Sequence, residues 1–289
     1  MSCKETRRQG ELSGHNKYNN GIINLIRMKQ IISAPVLALL VISCSSVSKK
    51  TIDQNANHKQ NNDWAEMNLK GEVKLMREIK YKTVEKDGEV QKGERKDSVI
   101  YVFNDRGNII DANSYKPDGS LDWKYTYKYD GYGNKIERNL YKPDGSLGAK
   151  YTSTYDSNGN IVEDMSYHPD GSLRWKSIYR NDSNGNIIEE NMYKPDGGLD
   201  WKYVWKYDKN GNKIETNWYK PDGSLTSKQT YKHDDNMNQV ERNSYNRDGS
   251  LKAKYTYKYD CDKTLNWIKR IELENDAPVS IWEREIEYF

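Results

Sequence analysis

A unit of 26 residues recurs through the middle of this chain without an insertion. Its turn tripeptide stands at Pro117-Asp118-Gly119, Pro143-Asp144-Gly145, Pro169-Asp170-Gly171, Pro195-Asp196-Gly197 and Pro221-Asp222-Gly223, and survives as Arg247-Asp248-Gly249. A second mark keeps the same period: Gly107-Asn108, Gly133-Asn134, Gly159-Asn160, Gly185-Asn186, Gly211-Asn212, then Met237-Asn238. Fixed-period self-similarity defines a repeat architecture whose units bury surface only against their neighbours. It favours an extended binding or structural surface over a single catalytic cleft.

Each unit reads as two strands. Leu121 to Asp130 alternates apolar and polar at every step, which is the strand signature. A turn over Asp130-Gly131-Tyr132-Gly133-Asn134 follows, then a shorter strand from Lys135 to Tyr141. The connections are too short for a crossover, so neighbouring strands are antiparallel. Six units supply twelve strands. Val73–Val84 with Ser98–Phe103 adds a starting pair, and Trp267–Glu274 with Val279–Tyr288 a closing hairpin. The expected fold is all-β, a repetitive antiparallel β-meander or solenoid-like sheet of 26-residue two-strand repeats that twists or curls. It occupies residues 64–289, with regular repeats over about 101–265 and the closing hairpin over about 266–289.

Turn chemistry bears on register. Lys142 precedes a proline and is kept out of the helical region, Pro143 takes the first turn position, and Gly145 supplies the left-handed conformation. The expected product is a three-residue loop with a bulge, and Asp130 can cap the matching turn at the other end. This register sets Glu137 between Tyr127 and Tyr151 and Tyr141 between Trp123 and Leu147. One face is then aromatic and punctuated by acids, while Lys124, Lys128 and Lys150 share the other with Ile136 and Leu140. A four-residue loop would instead align Glu137 with Lys128 and Lys150.

Several columns are the same in all six copies: Leu121, Tyr115 and Lys124 with their equivalents, Ile or Val in the column of Ile136, and an acid in the column of Glu137. A catalytic residue is needed once and not six times, so these columns read as cross-strand ladders that hold a sheet, each pair contributing about 0.2–1 kcal/mol. Hydrophobic residues are only 35% of the chain and the mean hydropathy is −1.08. The apolar surface comes from 23 Tyr and 8 Trp, residues whose polar handles suit half-wet surfaces. A net charge of +3 from 46 basic and 43 acidic residues implies no nucleic-acid partner.

The N-terminal region carries an address. Met28-Lys29 leads an apolar run from Ile31 to Ile42, too short to span a bilayer and suited to a signal-peptide core. Its end, Leu40-Val41-Ile42-Ser43-Cys44, resembles the lipobox of bacterial lipoproteins, which makes Cys44 the lipidation candidate. The expected organisation is an upstream leader at 1–27 that fits a start codon set too early, a signal peptide at 28–43, and a flexible tether at 44–63. The location implied is the bacterial cell envelope, membrane-anchored, on the periplasmic side or the cell surface. Cys3 lies in the leader, and Cys261 is left as a lone thiol replacing a turn residue.

The repeats resemble the YD (Rhs-type) family through Tyr127-Lys128-Tyr129-Asp130-Gly131-Tyr132-Gly133-Asn134, Tyr155-Asp156-Ser157-Asn158-Gly159-Asn160 and Tyr207-Asp208-Lys209-Asn210-Gly211-Asn212. The ending, Asn266 through Tyr288, is similar to tails of small Bacteroidetes lipoproteins that bear such repeats. The resemblance implies β-rich shells or sheets, often at cell surfaces, with suggestions of carbohydrate binding. Large members carry a toxin domain beyond the repeats.

No catalytic constellation emerges. His15, His58, His168 and His233 have no metal-ligand spacing, and Asp156-Ser157-Asn158-Gly159-Asn160 departs from the calcium-loop pattern in its early Gly and missing Glu. No cofactor, metal site or catalytic residue is expected. The leading reading is a lipid-anchored binding or scaffold protein, not an enzyme, that offers aromatic residues to a glycan or an envelope protein. Trp123, Trp175, Trp201, Trp205 and Trp218 are the candidate ligand surface. The alternatives are an envelope polysaccharide-active enzyme, which would need a carboxylate with a strongly raised pKa, and a purely structural envelope protein.

Overall fold

The computed structural model describes residues 62–289 together with Lys4–Glu5. Apart from Lys4–Glu5, which pairs parallel with Asp260–Cys261, the expected leader, the signal segment, Cys44 and the tether up to residue 61 lie outside the described residues. After the two-residue strand β1 (Lys4–Glu5) and one helical turn, α1 (Asp63–Glu66), the chain is strand after strand. The first pair is β2 (Val73–Lys86) and β3 (Glu89–Phe103). The repeats follow as β4 (Ile109–Tyr115), β5 (Leu121–Tyr129), β6 (Lys135–Tyr141), β7 (Leu147–Tyr155), β8 (Ile161–Tyr167) and β9 (Leu173–Asn181). They continue as β10 (Ile187–Tyr193), β11 (Leu199–Tyr207), β12 (Lys213–Tyr219), β13 (Leu225–His233), β14 (Gln239–Tyr245) and β15 (Leu251–Cys261). The last hairpin is β16 (Trp267–Glu274) and β17 (Ala277–Tyr288).

From β2 to β17 each strand pairs antiparallel with the next, and β17 pairs back onto β2 through Ser280–Tyr288. The meander is therefore a closed barrel of sixteen strands. Closure removes the two edges that an open meander of this length would leave unpaired.

The loops are as the turn chemistry requires. Lys142 N–H donates to Ser146 O at 2.9 Å, Gly145 N–H donates to Lys142 O at 2.9 Å, and Gly145 has φ +81°. At the other end Asp130 Oδ1 accepts from Tyr132 N–H and Asn134 N–H, both at 2.9 Å.

The register of the strands beyond is different from expectation, because each hairpin holds a second bulge. Tyr129 pairs with Lys135 but Lys128 with Glu137, which leaves Ile136 as the extra residue; Tyr141 pairs with Leu147 but Leu140 with Ala149, which leaves Gly148. One extra residue exchanges the faces. Glu137 consequently meets Lys128 at 2.7 Å and Lys150 at 3.0 Å, not Tyr127 and Tyr151. Leu140 joins the aromatic face, where it opposes Tyr125 and Ala149. Ile136 is left 38% exposed on the outer wall, and Tyr141 opposes Lys124 and Leu147 there. The bulge wins because one shift satisfies two demands at once. It pairs a carboxylate with two ammonium groups outside and collects the rings inside.

The outer ladder repeats round the barrel, with Lys206 and Lys228 on Glu215 at 2.8 and 2.9 Å, and Lys232 and Lys254 on Glu241 at 2.9 and 3.4 Å. On the inner face, large side chains stand opposite small ones: Trp123 opposite Ser114, Leu140 opposite Ala149, Trp175 opposite Ser166, and Trp218 opposite Ser227. Ala149 and Ser166 are fully buried beneath these neighbours.

Residues 62–70 lie across the barrel end that carries the Asp-to-Asn turns. On one side Trp64 N–H donates to Gly107 O at 3.2 Å, and the carboxylate of Asp63 takes Ile109 N–H at 2.7 Å, Tyr129 O–H at 2.7 Å and Lys135 Nζ at 2.6 Å. On the other side Asn68 Nδ2 donates to Asn236 O at 2.9 Å, and Lys70 exchanges two 2.8 Å bonds with Asn266. Leu69 from this strap joins Val73, Met76, Phe103, Ile109 and Ala112 beneath it in the buried core, with Trp64 and Trp123 packed against it. Gly107 is required here. It has φ +81°, and a Cβ would sit 2.5 Å from the Trp64 ring.

Cys261 corrects another expectation. It is the buried last residue of β15, not a turn residue, and it is disulfide-bonded to a partner outside the described residues.

Candidate functional site

The five tryptophans singled out in the sequence all face the barrel interior, but they do not form one surface. Trp123 lies in the core under the strap, 4.7 Å from the Tyr125 ring. Trp175 stands beside Tyr151 at 6.2 Å. Trp201, Trp205 and Trp218 come together on β11 and β12, joined by Tyr203. The Tyr203 ring is stacked 5.6 Å from Trp218 and 5.7 Å from Trp205, with interplanar angles of 14° and 8°, and Trp201 meets Trp218 edge-on at 4.8 Å. Strand alternation sends positions 201, 203 and 205 to one face, and the β12 bulge sends Trp218 to meet them.

The Trp218 Nε1–H is buried without a partner. Lys213 Nζ lies 5.5 Å over the Trp205 ring, and surrounding protein lowers its pKa below the ordinary lysine value. The rings themselves are half-buried. A sixteen-stranded ring is wider than side chains fill, unlike an eight-stranded one.

The inner wall also carries charge that the repeat columns did not announce. On β8 to β10, Tyr179 O–H lies 3.1 Å from Asp164 Oδ2 and 3.4 Å from Glu190 Oε1, and Ser177 O–H donates to Glu190 at 2.6 Å. Burial pushes both carboxyls above their ordinary values, against the bonds from Ser177 and Tyr179. Arg138 stands over Tyr151 at 4.1 Å. On β14 to β17 the arginines lie on rings, with Arg242 4.1 Å from Tyr255 and Arg284 3.6 Å from Trp267. Arg138, Asp164, Glu190, Thr216 and Arg242 share one repeat column. Its disagreement between copies was the signal that could have found them.

At the rim a tyrosine ladder ties each unit to the previous strand. Tyr129, Tyr155, Tyr207 and Tyr259 reach the carbonyls of Ile109, Lys135, Ile187 and Gln239 at 2.8, 3.1, 2.8 and 2.7 Å. Asn181 does the same toward Ile161 through its amide. His233 breaks the series, and a groove of about 570 Å³ opens beside it, lined by Asp208, Asn212, Ile214, Tyr231 and Met237. Among the described residues no group of three or more His, Cys, Asp and Glu is placed to hold a metal.

No family model and no curated protein matches this chain. Among solved structures it is similar to a porin-like protein from Bacteroides uniformis, with a TM-score of 0.50 and 11% identity over 74% of this chain and 98% of that one. At such identity the likeness concerns the fold, and it agrees with the strand pairing: this is an antiparallel up-and-down β-barrel. Chains of the Photorhabdus luminescens Tc holotoxin pore (14% identity over 64% of this chain and 9% of that one) and a DUF1329 family protein from Desulfovibrio piger (10% over 75% and 86%) are more distantly similar, with TM-scores of 0.30 and 0.25.

Proposed function

We propose that this protein is a lipid-anchored envelope barrel of the YD-repeat kind that binds a ligand, a saccharide in the first instance, on its aromatic inner wall. The observation that carries the reading is the Trp201–Tyr203–Trp205–Trp218 cluster. Four rings in contact, half-exposed on a concave face, are the kind of surface on which sugar rings stack. The outer wall argues for a place outside the bilayer, since a lipid-facing barrel carries an apolar band where this one carries Lys–Glu ladders. The Bacteroides likeness and the signal-like run ending at Cys44 support an envelope address. Tryptophan fluorescence and calorimetry against an oligosaccharide panel test the binding: Trp205→Ala should weaken it at least tenfold. Unchanged affinity in Trp201→Ala and Trp205→Ala would reject this wall. Fatty-acid analogue labelling that survives Cys44→Ala would reject the anchor.

A second reading, a polysaccharide-active enzyme, is favoured by Asp164 and Glu190. Two carboxyls raised by burial and joined through Tyr179 are the sort of pair acid–base chemistry uses. Release of reducing ends from envelope polysaccharide, lost in both Asp164→Asn and Glu190→Gln, would support it over simple binding.

A further inference from the structure

On the inner face of β16, β17 and β2, three residues stand in one cross-strand row: Arg270 opposite Trp282, and Trp282 opposite Lys80. The Arg270 guanidinium lies 4.9 Å from the centre of the Trp282 ring, and Lys80 Nζ lies 4.8 Å from it. Arg270 is further enclosed by Trp267 at 5.1 Å and Tyr257 at 5.7 Å. One indole therefore carries a cation on each flank.

Among the described residues neither cation makes an ion pair, and Arg270 Nε is buried with no hydrogen-bond acceptor. The neighbouring arginines differ, since Arg242 is 3.8 Å from Glu272 and Arg284 is 2.9 Å from Glu78. The carboxylates of this wall are thus engaged elsewhere. Glu272 also takes Ser280 O–H at 2.9 Å, and Glu274 takes Tyr255 O–H at 2.9 Å. Asp97 stands in register with Lys80 on β3 without an ion pair to it. The inner carboxyls raised by burial, Asp164 and Glu190, lie eight and six strands round the ring from β16. Stacking on rings offsets part of the cost of holding a guanidinium there, and the Tyr259 hydroxyl opposite on β15 hydrogen-bonds Arg270, but one neutral hydroxyl does not match the fork of N–H groups, which fits a planar oxyanion.

We infer that the Arg270–Trp282–Lys80 row is a binding site for a ligand oxyanion, a carboxylate or sulfate ester, held between the two cations. The site stands on a different wall from the Trp205 cluster and goes beyond the saccharide reading. An acidic sugar would use both, and a non-sugar anion only this one.

The row reports on itself. Trp282 Nε1–H donates to Ser280 Oγ at 3.0 Å, so its indole resonance can be followed in a ¹⁵N-labelled full chain during titration with D-glucuronate, sodium sulfate and, as the neutral probe, D-glucose at constant ionic strength. The expected result is a saturable shift of the Trp282 resonance with glucuronate and with sulfate and none with glucose. The shift should weaken at least tenfold in Arg270→Gln and in Lys80→Gln, and stay within a few-fold in Arg270→Lys. Should Arg270→Gln fail to fold, Lys80→Gln and Arg270→Lys decide. Equal response to glucose, or unchanged affinity in Lys80→Gln, overturns the site. A response confined to the Trp205 resonance also overturns it, while leaving the saccharide reading intact.

Discussion

The hydroxyl of Tyr207 donates to the carbonyl oxygen of Ile187, twenty residues earlier and 2.8 Å away. Ile187 opens β10 at the place where a bulge interrupts the β9–β10 ladder, and the tyrosine enters from β11 on the other side. The Tyr of the Tyr-Asp pair is therefore a tie between consecutive strands, and the following Asp caps the turn. Tyr207→Phe should cost about 1–2 kcal/mol by removing the partner of a strand-end carbonyl. Tyr219→Phe, on the outer wall, should cost less than about 0.5 kcal/mol. Urea unfolding of the two variants separates them, and equal effects would refute the tie.

The outer ladder makes an acid-stability prediction. The ammonium of Lys128, then Asn139 and Lys150, hold Glu137 at about 2. Burial opposes ionisation at Glu189 and Glu215 but is outweighed by Asn191, Arg180 and Lys202, and by Lys206, Lys228 and Asn217, which leaves both at about 2. A carboxylate depressed in the folded state binds its proton more readily when unfolded. Its contribution is thus complete above the ordinary value of 4.5 and is lost as pH falls toward about 2. The triple variant Glu137→Gln, Glu189→Gln, Glu215→Gln should flatten the fall of unfolding free energy across that interval. A wild-type slope in the variant would refute the ladder's role.

Strand order, the repeat turns and the closing hairpin were legible in the sequence, because alternation and the Pro-Asp-Gly and Gly-Asn marks act within a few residues. The opening hairpin was legible only in part, since its second strand begins at Glu89, directly after the Asp87-Gly88 turn, and not at Ser98. Closure was not. It depends on Ile286 finding Met76 across most of the chain, and no local period encodes that. The second bulges were hidden for a related reason: Ile136 and Gly148 continue the alternation as written, and only the demand that Glu137 meet Lys128 while Leu140 meets Tyr125 displaces them. The columns that repeat without change, such as Lys124, Glu137 and Tyr141, turned out to build the outer wall. Individuality lies inside, in columns whose members differ, such as Arg138, Asp164, Glu190 and Thr216.

The strap across the barrel end should depend on Asp63. Its carboxylate is 3% exposed and serves Lys135, Tyr129 and Ile109 together. Asp63→Asn leaves Lys135, 29% exposed, with Glu66 at 3.9 Å as its remaining counter-charge, and losing charged hydrogen bonds of this kind costs about 1.5–3 kcal/mol. Hydrogen exchange should show residues 64–70 losing protection while β11 to β13 keep theirs. Undiminished protection of Trp64 and Leu69 amides in that variant would show that apolar packing alone holds the strap.

The break in the tyrosine ladder supplies the last test. His233 occupies the position of Tyr207 and Tyr259, and burial holds its imidazole below the usual histidine pKa despite Asp208 and Asp234. Its ring is shorter than a tyrosine by the hydroxyl that the other units use, and the groove beside it opens where that contact is missing. His233→Tyr should restore a bond to the Lys213 carbonyl and raise stability by about 0.5–2 kcal/mol, as fitting a repeat to its consensus commonly does. If the groove serves a ligand, the same variant should lose binding while gaining stability, because activity and stability pull apart at a functional site. Thermal unfolding of the variant alongside the oligosaccharide titration reads both. A loss of stability would mean that His233 is the residue this corner needs, and that the gap in the ladder is held open by the backbone and not by the side chain.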